Sequence, residues 1–235
     1  MKVYIYGDSH TAALHRGLAT SGQSIREELN LDIRIIPLGS GLLLPTPFFT
    51  EREGYVEITN SDYKKRVKRI PPLENPPDAI GLSMPLWPMR VLRSLVWNNY
   101  SLPTGLAGRK PISLAFFRNL VLEDQKFVLR LVDFLRQLKI PLLAIAPPGL
   151  FCDHGTIKRF GKEYPLSIFN AYQDEMRRQL LKRGVTVVDV PADCFDSSGL
   201  MMQEFRHPSP EDNHHANEVF GAIMIGEIVS HLSHT

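Results

Sequence analysis

The sequence contains little cysteine, no long apolar run and no excess of one charge. Only Cys152 and Cys194 occur among 235 residues, which is too few for a disulfide framework and is typical of free thiols in a reducing compartment. No apolar stretch approaches the roughly 20 residues that a membrane-spanning helix requires. The first apolar run is interrupted at Asp8, which does not fit a secretory signal. We therefore expect a cytoplasmic protein.

Charge is nearly balanced, with 27 basic and 25 acidic side chains and a formal net charge of +2. This balance argues against nucleic acid or a membrane surface as a partner. Residues 64–69 (KKRVKR) are a local exception. We interpret this run as a solvated loop or helix face, with an anionic-substrate patch as the alternative. With 43% hydrophobic residues, the chain can bury one sizeable core, so residues 1–235 are predicted to form one domain.

Short apolar runs alternate with helical patterns along the chain. The runs are apolar nearly throughout, as in strands that are covered on both faces. The predicted strands are residues 2–6, 32–37, 78–83, 141–146 and 185–190. The predicted helices are residues 10–20, 23–30, 122–138, 167–183 and 214–232. This alternation predicts an α/β protein, a three-layer α/β/α sandwich around a five-stranded parallel sheet.

Two proline-rich segments do not fit the alternation and are predicted to be insertions. Residues 43–77 contain six prolines and the run YVEI at 55–58, which we interpret as an excursion with a short hairpin. Residues 84–121 are also predicted to be irregular. Each segment follows a predicted strand, so both are expected at the carboxyl edge of the sheet, where open parallel sheets bind ligands. Loops of this length are usually lids or binding segments.

A short motif near each end of the chain carries reactive side chains. Ser9 follows the first strand within residues 7–10 (GDSH). A serine at this edge lies beside helix amides that stabilise negative charge; the alternative is that Asp8 or Ser9 only caps the helix. Asp212 and His215 lie three residues apart near the start of the last predicted helix. At that spacing the carboxylate can hold Nδ1 of the histidine while Nε2 takes a serine proton; the alternative is a solvated, capped helix start.

Together the two motifs resemble those of the SGNH (GDSL) hydrolase superfamily. Residues 7–10 resemble its first block, with His10 where the commonest members have leucine. Residues 212–217 (DNHHAN), followed by an aromatic-glycine pair at 220–221, resemble its last block. The resemblance implies a flavodoxin-like α/β/α domain and a serine esterase that needs no cofactor. It also implies a catalytic triad of Ser9, His215 and Asp212.

The resemblance further implies an oxyanion hole. Its donors would be the amide of Ser9 and the amide of a glycine after the second strand, for which Gly39 fits better than Gly41; a flexible turn is the alternative. The third block of the superfamily, Gly-x-Asn, lacks its asparagine here, and Ser83 within residues 81–86 (GLSMPL) is the nearest hydroxyl. Removing one oxyanion donor typically costs on the order of 100- to 1,000-fold in rate.

Further side chains are expected near this edge. Residues 147–149 (PPG) resemble the proline-bearing loop that the superfamily has after its fourth strand, and this loop would bring Asp153 and His154 near the pocket. Together with His10 and Ser83, they are the predicted substrate-binding residues. The histidines and carboxylates of the two motifs are potential metal ligands. Their spacing matches no usual zinc signature, so no metal is predicted.

The predicted function is hydrolysis of a small acyl ester, foremost an acetyl ester, through an acyl-enzyme on Ser9. The expected substrate is a small molecule or a glycan ester, the glycan by likeness to the superfamily. Acyl transfer to an alcohol would use the same triad. A non-catalytic, ligand-binding protein on this fold is a further alternative, which the absent asparagine favours.

Overall fold

The computed structural model describes residues 1–103 and 108–233, which form ten strands and eight helices. The strands are β1 (Lys2–Gly7), β2 (Asp32–Pro37), β3 (Phe49–Arg52), β4 (Tyr55–Ile58), β5 (Arg69–Ile70), β6 (Ala79–Ser83), β7 (Tyr100–Ser101), β8 (Lys110–Pro111), β9 (Leu142–Ile145) and β10 (Thr186–Val188). The helices are α1 (Thr11–Leu29), α2 (Ser61–Lys64), α3 (Met89–Leu92), α4 (Leu114–Asp124), α5 (Lys126–Gln137), α6 (Gly155–Phe160), α7 (Glu163–Lys182) and α8 (Glu218–Ser233). None of these helices combines the length and the hydropathy of a membrane span.

Five parallel strands form the central sheet, in the order β10-β9-β6-β1-β2. Strand β1 lies between β6 and β2. Its last residue, Gly7, is in register with Pro37 of β2 and with Ser83 of β6. Three chain segments therefore leave the carboxyl edge of the sheet side by side. The predicted five-stranded parallel sheet is confirmed.

Helices cover both faces of this sheet. Alternate residues of a strand point to opposite faces, and in β1 Val3 and Ile5 join the apolar cluster that includes residues of α1 and α8. Tyr4 and Tyr6 join the other cluster, which includes residues of α5 and α7. Both faces of the strand are buried, which explains why its sequence is continuously apolar. The predicted three-layer α/β/α architecture is confirmed.

Helices α1 and α8 are in backbone contact. A Cβ atom at Gly221 would lie 1.9 Å from the carbonyl oxygen of Ala13. A Cβ atom at Gly17 would lie 2.2 Å from the carbonyl carbon of Gly221. Only glycine permits such an approach. Because α1 follows Ser9 and α8 follows His215, this packing brings the motifs of the two chain ends together.

The helices differ from the predicted ranges in three places. One helix, α1, replaces the two predicted over 10–20 and 23–30, because no proline interrupts residues 11–29. The helix predicted over 122–138 is two helices, α4 and α5, separated at Gln125 by non-helical dihedral angles (φ −105°, ψ 10°). The last helix begins at Glu218 and not at 214, because Asn217 caps it. Oδ1 of Asn217 accepts hydrogen bonds from the backbone N–H groups of Val219 and Phe220, in the first turn of the helix.

The two proline-rich segments contain more regular structure than expected. Within residues 43–77, β3 and β4 form the expected hairpin, and β5 extends it to a three-stranded antiparallel sheet. Within residues 84–121, the structure contains α3, β7, β8 and most of α4, while residues 104–107 lie outside the described residues. Residues 114–121 of α4 were not predicted to be helical, although Ser113 caps this helix and Phe117 and Val121 are buried on one of its faces.

Candidate active site

The carboxyl edge of the central sheet brings the sequence motifs together. The N–H of Leu38 donates a hydrogen bond to the carbonyl oxygen of Gly7 at 2.7 Å. A Cβ atom at Gly7 would lie 2.5 Å from the carbonyl oxygen of Ser83, so β1 and β6 are in close contact where they end. The next residue, Asp8, is buried, whereas Ser9 is exposed just before α1. The turn therefore presents the serine hydroxyl at the sheet edge.

Ser9, His215 and Asp212 form one hydrogen-bonded chain. Oγ of Ser9 lies 2.9 Å from Nε2 of His215, and Nδ1 of the same ring lies 2.8 Å from Oδ2 of Asp212. Oδ1 of Asp212 accepts hydrogen bonds from the backbone N–H groups of His214 and His215. Burial alone would raise the pKa of Asp212, but the hydrogen bonds from His215 and His214 and the charge of His215 lower it to about 2. The charged carboxylate can therefore hold the imidazole proton on Nδ1 and leave Nε2 as the acceptor.

The Asp-x-x-His segment lies in a loop before α8 and does not extend into the helix as predicted. An antiparallel bridge joins Arg206 to Ala216, and the N–H of His207 donates to the carbonyl oxygen of His215 at 3.0 Å. Nη2 of Arg16, on α1, donates to the carbonyl oxygen of Ala216 at 2.9 Å. These bonds fix the loop to the preceding chain and to the helix that follows the serine.

Gly39 lies in the loop that follows β2. Its φ of 147° is rarely adopted by residues with a side chain. The hydroxyl of Tyr63 donates to the carbonyl oxygen of Ser40 at 2.6 Å, and Nη1 of Arg90 donates to the carbonyl oxygen of Gly41 at 2.5 Å. The loop is therefore held by side chains from α2 and α3. Oxyanion binding by the Gly39 amide stays a prediction.

A buried ion pair supports this loop. Arg90 forms two hydrogen bonds with the carboxylate of Asp124, at 2.6 and 2.8 Å, and the hydroxyl of Tyr172 donates to the same carboxylate at 2.5 Å. Burial also raises the pKa of the nearby Asp8 to about 6, although a hydrogen bond from the N–H of His10 and the charge of Arg90 act to lower it. Arg90 was not predicted from the sequence. Its only signal was a charged residue in an apolar stretch, which it shares with Arg93.

Among known proteins, similarity to this chain is found in solved structures, which share its fold. No protein-family model and no curated protein matches the sequence. The acetyl xylan esterase AlAXEase matches with a TM-score of 0.53 and 16% identity, over 99% of this chain and 100% of that one. A GDSL-like lipase from Bacteroides thetaiotaomicron matches with a TM-score of 0.51 and 10% identity, over 99% and 88% of the two chains. A candidate SGNH hydrolase from Slackia heliotrinireducens matches with a TM-score of 0.52 and 12% identity, over 99% and 98%.

The chain has the fold of the SGNH hydrolases. The resemblance carried by the two terminal motifs is thereby confirmed at the level of the fold. Identities of 10–16% show a shared fold and not a shared function, which depends on the side chains of the site.

Ser83 is the residue that the sequence resemblance aligns with the asparagine of the third block. It is the last residue of β6 and is buried. Its hydroxyl makes no hydrogen bond to any residue of the two described ranges. The hydroxyl is therefore available to a ligand, and its assignment as a substrate or oxyanion donor stays a prediction.

His10, at the leucine position of the SGNH motif, is packed into the protein beneath the triad. It is 5% exposed, and its ring lies 4.1 Å from the ring of Trp87 and 4.8 Å from that of His215, centroid to centroid. Burial, together with the charges of His215 and His214, holds the pKa of His10 well below its usual range. His10 is therefore a neutral packing partner of the triad histidine, and its assignment as a substrate-binding residue stays a prediction.

His154 is also buried, with 1% of its surface exposed. It caps α6, because its Nδ1 accepts a hydrogen bond from the N–H of Thr156 at 3.3 Å. Burial, and then the charges of Arg93 and His214, lower the pKa of His154 to about 4. The assignment of His154 as a substrate-binding residue stays a prediction.

Asp153 and Cys152, which precede His154 in the same loop, have partners outside the triad. Asp153 forms an ion pair with Arg206 at 3.1 Å, so one of its carboxylate oxygens is committed. Cys152 is an exposed free thiol that accepts a hydrogen bond from Gln203, and Cys194 is a buried free thiol. No hydrogen bond joins Asp153 to the Ser9 hydroxyl, and its role in substrate binding stays a prediction.

His214 completes a group of three buried or partly buried histidines around the triad, which we call the histidine cluster (His10, His154 and His214). Its ring lies 4.0 Å from that of His215. Burial and the charge of His215 lower the pKa of His214 to about 4, although the charge of Asp212 opposes them. Asp212, His214 and His215 also offer ligand atoms within 4.8 Å of one another, close enough to hold a metal ion. Two of the three are already hydrogen-bonded to each other in the triad.

Proposed function

We propose that the protein is a serine esterase that hydrolyses small acyl esters. The observation that carries the proposal is the pair of hydrogen bonds that joins Asp212 to His215 at 2.8 Å and His215 to Ser9 at 2.9 Å. Both distances lie in the range over which a general base acts on a nucleophile. The SGNH fold supports the same assignment, because solved structures with this fold include an acetyl xylan esterase and a GDSL-like lipase.

The proposed reaction begins when Oγ of Ser9 attacks the acyl carbon and Nε2 of His215 accepts the hydroxyl proton. Asp212 stabilises the imidazolium that forms. The amides of Ser9 and Gly39 donate hydrogen bonds to the oxyanion of the tetrahedral intermediate. His215 then gives its proton to the leaving alcohol. A water molecule, deprotonated by the same ring, attacks the acyl carbon, and His215 returns this proton to Oγ of Ser9 as the acid leaves.

The uncommitted hydroxyl of Ser83 supports a third oxyanion donor in place of the missing asparagine. A hydroxyl that donates only in the transition state lowers kcat when it is removed and leaves KM nearly unchanged. We expect Ser83→Ala to lower kcat by about 10- to 100-fold, somewhat less than the loss of a full amide donor. An unchanged kcat would remove Ser83 from the oxyanion hole.

Hydrolysis is favoured over acyl transfer because Ser9 is exposed, so that water can reach an acyl group carried on it. Acetyl is the proposed acyl group, and an O-acetylated carbohydrate is the proposed natural substrate. The latter rests on the likeness in fold to an acetyl xylan esterase. Product analysis with and without added sugar alcohol separates the two reactions, because transfer would yield the acetylated sugar.

The test uses the purified protein, 4-nitrophenyl acetate and a fluorophosphonate probe that labels activated serines. We expect Ser9→Ala to abolish both turnover and labelling. Ser233→Ala, which removes an exposed serine at the far end of α8, is the matched control and should behave as the wild type. Equal labelling of the wild type and Ser9→Ala, or turnover that survives in both Ser9→Ala and His215→Ala, would contradict the proposal.

A further inference from the structure

A cavity of about 670 Å³, which we call the basic cavity, lies outside the triad. Tyr6 of β1 and Ile36 of β2, which are in register with each other, form part of its lining. The rest of the lining comes from Glu57 of β4 and from two chain segments, residues 64–69 and 72–74. The basic cavity therefore lies between the end of the central sheet and the three-stranded antiparallel sheet.

The basic run of the sequence, residues 64–69, lines the basic cavity over its whole length. It contributes five cationic side chains, whereas the acidic residues of the lining are Glu57 and Glu74. Glu57 is already engaged, because Nη2 of Arg52 lies 3.0 Å from its carboxylate. The cations of the run are exposed, as expected of a solvated face. They also form one wall of a cavity, which favours the alternative of an anion-binding patch.

Arg66 and Lys68 are the cations of this run that are available to a ligand. Within residues 1–103 and 108–233, no carboxylate forms an ion pair with either of them, and no acceptor takes a hydrogen bond from either side chain. Lys65, by contrast, forms an ion pair with Asp62 at 2.7 Å. A guanidinium binds an oxyanion through two parallel hydrogen bonds, and an ammonium adds a compact positive charge.

Backbone hydrogen bonds hold the run at both ends. The N–H of Val67 donates to the carbonyl oxygen of Tyr63 at 3.0 Å, and Tyr63 is fully buried. Towards the other end, the N–H of Ile58 donates to the carbonyl oxygen of Lys68 at 3.0 Å. A site whose backbone is already held in place loses less conformational entropy when a ligand binds. The two available cations thus project from a fixed segment.

The lining also offers apolar surface beside the cations. Val67 is buried, Ile36 and Pro72 are half-buried, and Leu73 is 52% exposed. The volume of the basic cavity lies within the range of roughly 300–1,000 Å³ that is typical of small-molecule sites. Cations beside apolar side chains fit an oxyanion that is joined to an apolar body better than they fit a bare inorganic anion.

We propose that the basic cavity binds a small organic anion at a site separate from the triad, with Arg66 and Lys68 holding its charged oxygens. The apolar residues of the lining contact the body of the same ligand. The shared chemistry is a tetrahedral oxyanion on an apolar body. Its source, a phosphate monoester or a sulfate monoester, is distinguished by the ligands of the test. This inference does not depend on the proposed esterase activity.

The test is calorimetric titration of the wild type with four probes: 2-naphthyl phosphate, 2-naphthyl sulfate, 2-naphthyl β-D-glucoside and inorganic phosphate. We expect the better of the two naphthyl esters to bind at least about tenfold more tightly than the glucoside, which lacks the charge, and than inorganic phosphate, which lacks the apolar body. The ester that binds more tightly identifies the favoured anion. Binding of neither ester would overturn the inference.

The double variant Arg66→Gln/Lys68→Gln should bind the favoured ester at least about tenfold more weakly than the wild type, because its charge-assisted hydrogen bonds are lost. Lys162→Gln/Lys182→Gln is the matched control. It makes the same change in net charge at two exposed lysines at the ends of α7, which do not line the basic cavity. Equal affinities of the two double variants would overturn the inference.

Two further measurements use proteins with an intact basic run. Ser9→Ala should bind the favoured ester as tightly as the wild type, and weaker binding would place the ester at the triad and overturn the inference. Raising sodium chloride from about 0.05 to about 0.5 M should weaken binding to the wild type, because salt screens exposed charges. An affinity that does not change with salt would count against Arg66 and Lys68 as the binding groups.

Discussion

Replacing Gly221 by alanine tests the packing that joins the two ends of the chain. The added Cβ would lie 1.9 Å from the carbonyl oxygen of Ala13 and 2.5 Å from its carbonyl carbon. An ordinary contact needs roughly 3.5 Å, so α1 and α8 must move apart by about 1.5 Å at this point. Overpacking of this kind costs about 2–3 kcal/mol in the free energy of unfolding.

The change should also lower activity by a route that stability alone does not predict. Helix α1 follows Ser9 and α8 follows His215, so separating the helices lengthens the 2.9 Å contact between Oγ and Nε2. A displacement of about 1 Å in a reacting geometry can cost on the order of 100-fold in rate. We therefore expect a lower kcat at temperatures where Gly221→Ala is still folded.

Denaturant unfolding gives the stability, and thermal unfolding should show a fall of about 4–12 °C for a chain of this size. Gly226→Ala is the matched control, because it makes the same substitution on the same helix where a Cβ atom meets nothing within 4 Å. Helix propensity alone should stabilise it by up to about 1 kcal/mol. If Gly221→Ala were as stable as Gly226→Ala, the reasoning about close backbone contact would be refuted.

Three further predictions follow from the same structure. Asp212→Asn should lower kcat by about 10³- to 10⁴-fold with little change in KM, because the amide no longer holds the imidazole in the productive tautomer. Steady-state kinetics measures both constants, and a fall in kcat of less than tenfold would contradict this role of Asp212. Arg90→Met should lower the free energy of unfolding, measured with denaturant, by about 3–5 kcal/mol, because the buried carboxylate partner of Arg90 is left unpaired. Arg130→Met removes an exposed ion pair and should lower it by less than about 1 kcal/mol. Similar falls in the two variants would contradict this prediction. The free energy of unfolding should fall as pH drops from about 6.5 to about 4, because the pKa values of the three cluster histidines are lowered in the folded protein and only the unfolded chain gains their protons. The raised pKa of Asp8 opposes this effect, but it is one group against three. His154→Asn keeps a capping acceptor and should reduce the slope of unfolding free energy against pH by up to about 1.4 kcal/mol per pH unit, and an unchanged slope would count against the assignment.

The central sheet could be predicted from the sequence because its strands are buried on both faces. Such strands are continuously apolar, and each of the five predicted runs overlaps a strand of the sheet. The triad side chains could be proposed because their motifs have a recognisable spacing. The start of α8 was predicted too early, although Asn217 is a good capping residue, because the apolar pattern was given more weight than the cap.

The parts that could not be predicted depend on contacts between distant segments. The helix break at Gln125 is stabilised by a hydrogen bond from its side chain to the hydroxyl of Tyr172 at 2.7 Å, 47 residues away. The ion pair of Arg90 with Asp124 joins residues 34 positions apart, and a single sequence does not reveal this contact. These are tertiary effects without a local signal.

The hydrogen bond between Ser9 and His215 spans 206 positions of the chain. In the proposed mechanism, Ser9 depends on a proton acceptor that is synthesised 206 residues later. A ribosome-bound chain that has completed all five sheet strands would therefore still carry an inert serine. By the same mechanism, transient detachment of α8 should abolish the reactivity of Ser9 while the central sheet stays intact.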